Sequence, residues 1–104
     1  MAGGSRVEQL KVMLAETPDD AELRYFLAMA YASAGDEASA LDCFRHLAEH
    51  SPGYVPAYVQ SGPLLARLGR EDEARATFRA GIAAAQKAGD LHAAGEMEAF
   101  LDSL

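Results

Sequence analysis

A single fixed spacing between like residues constrains the fold of this chain more than any other feature of its sequence. Residue types recur thirty-four positions apart in the pairs Pro18 and Pro52, Gly35 and Gly69, Ala40 and Ala74, and Phe44 and Phe78. A fixed period of this length is typical of stacked supersecondary units, because one such unit cannot bury its apolar face alone. The period therefore predicts a repeat architecture, and it favours binding over catalysis.

Composition predicts a single all-α domain over residues 1–104. Half of the 104 residues are apolar and many are alanine, whereas β-branched residues are few, which favours helix over sheet. The formal net charge of −7 repels phosphate backbones and anionic lipid, so neither a nucleic acid nor a membrane is an expected partner. With one cysteine, no apolar span and no signal sequence, the chain reads as a cytoplasmic protein.

Hydrophobic periodicity and capping residues predict six helices joined by short turns. These helices cover approximately residues 5–16, 21–34, 37–50, 54–68, 70–88 and 91–103. Gly35 and Gly69 follow the second and fourth helices as left-handed caps. Pro63 lies in the middle of the fourth helix, where we expect a kink because proline cannot donate a backbone hydrogen bond.

The residues of the period resemble the tetratricopeptide repeat, a 34-residue helix–turn–helix unit. The first copy carries Leu27, Ala28, Tyr31, Ala40, Phe44 and Pro52 at that family's spacing, with Arg24 at its Trp position. The second copy carries Tyr58, Gly62, Leu65, Ala74 and Phe78, with Ser61 in place of the Leu and Gln86 in place of the Pro. This resemblance implies an antiparallel stack of helix hairpins, the tetratricopeptide-like α–α superhelix.

The same register divides the chain into a half repeat at 5–18, repeats at 21–54 and 55–88, and a closing helix at 89–104. The small residues Ala28 and Gly62 fall where two helices cross closely, and the bulky Phe44 and Phe78 fall between hairpins. Because no proline follows Ala85, the fifth helix is expected to continue for nearly another turn.

The resemblance also implies a concave groove that holds a protein or peptide partner. The residues at its groove positions are Glu22, Tyr25, Met29, Ala32, Ser33, Pro56, Val59, Pro63, Ala66 and Arg67. The cationic clamp that some members use for C-terminal carboxylates is absent, since Tyr25, Met29 and Gln60 stand at its positions. The expected ligand is therefore an apolar or amphipathic helix, with no cofactor and no catalytic residue.

Two alternatives to a groove remain open from the residues. In one, the stripe of Tyr25, Met29 and Ala32 forms the two-fold interface of a homodimer. In the other, remote one, His46, Glu49 and His50 match the H-x-x-E-H sequence of zinc hydrolases. We interpret those three residues as a solvated helix face and expect no metal, because a catalytic site needs a third ligand and a sheltered cleft. Cys43 is expected to be a buried, inert thiol.

Overall fold

The computed structural model describes residues 5–104 and contains six α-helices within them. Their bounds are α1 Arg6–Glu16, α2 Ala21–Ser33, α3 Glu37–His50, α4 Val55–Arg67, α5 Glu71–Ala88 and α6 Leu91–Asp102. Between residues 5 and 104 no strand interrupts this order, and the turns are two to four residues long. The all-α hairpin architecture predicted from the sequence is therefore confirmed. Within the same residues, no helix combines the length and apolar character that a bilayer span requires.

The chain separates into two compact units, the first ending at Ser51 and the second beginning at Pro52. In the first unit, α2 packs against both α1 and α3. Its core is built from apolar side chains of all three helices: Leu10, Leu14, Leu27, Ala28, Ala40, Leu41, Cys43, Phe44 and Leu47. Ala48 of α3 lies at the margin of this buried stripe and is exposed.

Side-chain caps define where the helices of the first unit begin. The backbone N–H of Glu8 donates to Ser5 Oγ at 3.2 Å, and that of Leu23 donates to Asp20 Oδ1 at 3.0 Å. These bonds satisfy backbone donors that have no partner inside the helix. At the other end of α2, Gly35 has a φ of +84°, a conformation that a side chain would strain, so glycine ends the helix as predicted.

In the second unit, α5 packs against α4 and α6, and α6 also contacts α4. Phe78 of α5 is fully buried, and its ring stacks on that of Phe100 with centroids 5.5 Å apart. Gly81 lies one turn along, where a Cβ would come within 2.5 Å of Met97 Sδ and of Tyr58 Cβ. Close approach of the three helices therefore depends on the missing side chain at Gly81.

The length of α5 confirms the prediction drawn from the missing proline. This helix has 18 residues against 14 in α3, and it runs to Ala88, four residues beyond the position equivalent to His50. In α6 the side chain of Leu91 is 74 % exposed, and Ala93, Ala94 and Met97 form the buried side. The kink at Pro63, which lies inside α4, stays a prediction.

Candidate binding surface

The predicted contact residues of the first unit all lie on α2, and none of them is buried. Tyr25, Met29 and Ala32 are half-buried, whereas Glu22 and Ser33 are exposed. The buried side of the same helix is formed by Leu27 and Ala28. Tyr25, Met29 and Ala32 thus lie apart from the buried pair, and their role in binding stays a prediction.

Tyr25 has a structural role that the sequence interpretation did not assign to it. Its ring centroid lies 6.5 Å from that of Phe44 and 6.0 Å from that of Phe26. Tilted aromatic pairs at such distances contribute about 0.5–1.5 kcal/mol beyond the area they bury. Tyr25 therefore packs against the core residue Phe44 as well as belonging to the predicted contact residues.

A depression of about 450 Å³ opens between the start of α1 and the later turns of α2. Its lining is mainly apolar and consists of Ser5, Arg6, Val7, Phe26, Met29, Ala30, Ser33 and Ala34. Sequence reasoning identified Met29 and Ser33 but missed Val7, Phe26 and Ala30 as surface residues. The sequence did indicate such residues, because α2 is apolar on nearly every side. A helix of this kind exposes part of its apolar surface unless several neighbours enclose it.

The predicted contact residues of the second unit all lie on α4. Val59, Pro63 and Ala66 are half-buried, and Pro56 and Arg67 are exposed. The buried side of α4 is formed by a different set: Val55, Ala57, Tyr58, Ser61, Gly62, Leu64 and Leu65. As on α2, the three apolar positions predicted for binding are separate from those that fill the core of the unit.

A second depression, of about 510 Å³, lies beside the start of α4 and the later turns of α5. It is lined by Pro52, Gly53, Tyr58, Ala80, Ala83, Ala84, Lys87 and Ala88. The hydroxyl of Tyr58 donates to the carbonyl oxygen of Pro52 at 2.7 Å, and burial raises the pKa of this phenol. Tyr58 therefore anchors the turn, and the surface beside it presents small side chains without a concentration of charge.

The H-x-x-E-H residues do not lie on a uniformly solvated face. His46 is half-buried, whereas Glu49 and His50 are exposed, and the two imidazole centroids are 4.3 Å apart. Together with Arg24 and the 18–21 turn, both histidines line a depression of about 190 Å³. Partial burial lowers the pKa of His46, and the nearby positive charge of Arg24 lowers it further. The solvated-face interpretation is thus wrong for His46, because the turn and Arg24 cover it.

Neither a metal centre nor a reactive thiol is assembled from the residues singled out in the sequence. Within residues 5–104, no group of three or more His, Cys, Asp and Glu side chains could hold a metal ion, so the zinc-hydrolase alternative gains no third ligand. Cys43 is a free, buried cysteine, as predicted. Burial raises the pKa of its thiol and so disfavours the nucleophilic thiolate.

Comparison with known proteins agrees with the helical repeat fold described above. The tetratricopeptide repeat family matches the chain over residues 21–54 and 55–88. A TPR repeat-containing protein of Pseudomonas aeruginosa, PA0015, is 34% identical over 98 residues, covering 94% of this chain and 93% of its own. The solution structure of protein BPP2914 from Bordetella parapertussis is similar with a TM-score of 0.80 and 32% identity, covering 97% of this chain and 88% of that protein.

Proposed function

The chain belongs to the tetratricopeptide repeat family, and from that premise we propose that it binds a protein partner through the apolar faces of α2 and α4. Repeats of this family are protein–protein interaction modules, and the family is generally a non-enzymatic scaffold. The partner segment we propose is an apolar or amphipathic helix, which such faces bind by burying side chains spaced along one side of it.

The observation that best supports this proposal is that the same three positions of each repeat stay partly exposed in both units. Tyr25, Met29 and Ala32 on α2 recur one repeat period later as Val59, Pro63 and Ala66 on α4, and all six are half-buried. Apolar side chains that remain partly in water after folding can still contribute to binding. Full burial of a side chain such as methionine or valine stabilises by about 1.5–3 kcal/mol relative to exposure.

The chemical class of the proposed ligand follows from the charges beside these positions. Glu22 precedes the stripe on α2 and is exposed, whereas the stripe itself contains no Lys or Arg. A terminal carboxylate needs a cation beside it to compensate its desolvation, and the stripe on α2 supplies none. An apolar helix side can be buried against it without that penalty, so we propose it as the ligand.

The proposal includes the division of the chain that the register predicts. Residues 5–18 form a half repeat, 21–54 and 55–88 form full repeats, and 89–104 form a closing helix, all in one tetratricopeptide-like domain. Support comes from the helices themselves: α2 and α4 have 13 residues each, and the first residues of α3 and α5, Glu37 and Glu71, are one repeat period apart. Under this division the two binding faces occupy the same helix of successive repeats.

Selection of peptides from a displayed library of amphipathic helices tests the proposal, with the full chain as bait. The best binders are then titrated against the Met29→Glu and Val59→Glu variants. Each change places a carboxylate on one proposed face, where it stays hydrated in the free protein but must lose water when an apolar helix docks. We expect affinity to fall at least about tenfold, equivalent to about 1.4 kcal/mol, in both variants.

Ala76→Glu is the matched control, since Ala76 is an exposed alanine of α5 outside both faces. This variant should bind selected peptides like the parent chain, and all three variants should keep the parental circular-dichroism melt. A library that yields no binder contradicts the proposal. So do binders whose affinity is unchanged by both Met29→Glu and Val59→Glu while the melts remain normal.

A further inference from the structure

The two compact units carry a depression at corresponding positions, narrow in the first unit and wide in the second. In the first unit it has a volume of about 190 Å³, and in the second about 510 Å³. The residues that line the two depressions correspond at a spacing of thirty-four positions in the pairs Pro18 and Pro52, Asp19 and Gly53, Arg24 and Tyr58, His46 and Ala80, and His50 and Ala84. The first depression therefore indicates which groups can fill the second.

In the first unit, side chains of α2 and α3 narrow the depression. The imidazole rings of His46 and His50 lie with their centroids 4.3 Å apart and their planes tilted by 33°. A guanidinium N–H of Arg24 donates to the carbonyl oxygen of Pro18 at 2.9 Å, which holds the Arg24 side chain across the turn. His46 is half-buried as a result. A depression of this kind thus accommodates planar rings, supplied here by the chain itself.

In the second unit, the corresponding side chains are too small to fill the depression. Ala80 is exposed and Ala84 is half-buried, and each side chain ends at its Cβ where the first unit has an imidazole ring. Tyr58 stands in place of Arg24, but its ring is buried and its hydroxyl donates to the carbonyl oxygen of Pro52, so it forms part of the wall. The missing rings leave an open, largely apolar surface.

The additional turn of α5 lengthens this surface and adds one charge to it. Lys87 and Ala88 line the depression, whereas α3 ends at His50 and has no helical residues at the equivalent positions. Lys87 is exposed, and among the described residues that line the depression it alone is charged. The net charge of −7 is spread over the chain and is screened beyond about 8 Å at physiological ionic strength, so the contact charge here is positive.

We propose that this depression of the second unit binds an aromatic side chain of a partner protein, one that has a carboxylate close to it in the partner's sequence. The ring takes the place that imidazole rings take in the first unit, against Ala80, Ala84 and the wall formed by Tyr58. The carboxylate pairs with Lys87 at the rim. Because the depression is open to solvent, a ring can enter it while the partner's backbone stays outside.

This surface is separate from the one proposed to bind an amphipathic helix. Val59, Pro63 and Ala66 are not among the described residues that line the depression, although they also lie on α4. Burial of the aromatic ring supplies the affinity, whereas an exposed ion pair contributes little to affinity and mainly selects the neighbouring residue. Either proposal can therefore fail without the other.

Titration of a fluorescent peptide with the full chain tests the proposal. The probe is a blocked pentapeptide with tryptophan at its centre and a pair of glutamates on each side. Because the chain contains no tryptophan, the emission reports on the probe alone. We expect saturable binding as the chain is raised to about 1 mM, since a single anchor residue gives weak affinity. The same peptide with phenylalanine at its centre should compete with the probe, and the peptide with alanine there should not.

Two changes in the depression should weaken this binding. The variant that carries both Ala80→His and Ala84→His supplies the rings found in the first unit, and it should bind the probe at least about tenfold more weakly. Lys87→Glu should weaken binding about threefold at physiological ionic strength, because it replaces an attractive contact by a repulsive one. It should not weaken the binding of a probe that has lysines in place of the glutamates.

The matched controls are Ala99→His on α6 and Arg79→Glu on α5, which alter exposed residues outside the depression. Both should bind the probe like the parent chain, and so should Met29→Glu and Val59→Glu. All of these variants should keep the parental circular-dichroism melt. If the double histidine variant does not fold, Lys87→Glu and the competing peptides still decide the outcome.

Several results would overturn the proposal. Absence of saturable binding does so, as does equal competition by the alanine peptide, since the ring is then not what is recognised. Unchanged affinity in a normally melting double histidine variant also contradicts it. If Met29→Glu or Val59→Glu weakens binding instead, the probe occupies the faces proposed for an amphipathic helix. If the probe does not bind but the double histidine change abolishes self-association in sedimentation velocity, a second copy covers the depression and the proposal is wrong.

Discussion

Gly62 of α4 lies directly against the ring of Phe78 of α5. A Cβ built at Gly62 would be 2.6 Å from Phe78 Cζ, a separation that real Cβ contacts do not show. Phe78 is fully buried and its other neighbours hold it, including the stacked ring of Phe100. The missing side chain at Gly62 therefore lets the two helices approach, and a full-size aromatic fills the space beside them.

Gly62→Ala should destabilise the chain even though alanine is the better helix former. Overpacking a filled core costs about 1–3 kcal/mol, whereas the helix propensity gained is about 1 kcal/mol. We expect a net loss of up to about 2 kcal/mol in urea unfolding followed by circular dichroism. Gly95→Ala is the control: a Cβ there meets open space, so this variant should gain about 0.5–1 kcal/mol. Equal gains in both variants would contradict the packing described for Phe78.

Phe78→Ala should be among the most damaging single truncations of the second unit. Loss of a fully buried ring leaves a cavity and typically costs about 3–5 kcal/mol. Phe100→Ala removes the ring stacked on it, but that ring is 46 % exposed, so we expect less than about 1.5 kcal/mol. Urea unfolding of the two variants measures the difference. Comparable losses in both would show that Phe78 is not the main packing residue between α4, α5 and α6.

The repeat period and the turn chemistry made most of the fold predictable. Helices α1 to α6 begin and end within one or two residues of the predicted limits, because glycine, proline and capping residues mark those limits locally. The extra turn of α5 also followed from a local feature, the lack of a proline after Ala85. Local chemistry decides where a helix stops, so one sequence suffices to locate it.

The surface was less predictable, because exposure depends on neighbours that the register does not specify. The half-buried state of His46 results from Arg24 and the 18–21 turn, which come from another part of the unit. Leu91 has the side chain of a core residue, yet α6 turns Ala93 and Met97 inward instead. Phe26 was not predicted to lie at the surface, because a helix that is apolar on nearly every side has no pattern that indicates which side is buried.

His46 should make the free energy of unfolding depend on pH in the mildly acidic range. Its pKa is lowered in the folded chain, so the unfolded chain, with a value of about 6.5, binds the proton more readily. Stability contributed by neutral His46 is therefore present above about pH 6.5 and is lost as pH falls toward the folded value. Urea unfolding of the parent chain and of His46→Gln, between neutral pH and about pH 5, measures this effect.

As the pH falls, the free energy of unfolding of His46→Gln should rise relative to that of the parent chain, because glutamine binds no proton. If instead His46→Gln and the parent chain lose stability in parallel over the whole range, the burial of His46 by Arg24 and the adjoining turn has no effect on its titration.

Cys43 should react slowly with a disulfide reagent as long as the first unit is folded. Burial excludes the reagent and raises the pKa of the thiol, with Asp42 adding to the increase and Arg24 opposing it. Both effects lower the concentration of accessible thiolate, the reactive form. We expect labelling by 5,5′-dithiobis(2-nitrobenzoate) in mildly alkaline buffer to be at least about tenfold slower than in concentrated guanidinium.

Leu47→Ala, which opens the packing beside Cys43 on α3, should bring the labelling rate of the native chain closer to that of the unfolded chain, since Leu47 is 1 % exposed. A native rate equal to the unfolded rate would show that the α2–α3 contact opens too often to protect the thiol.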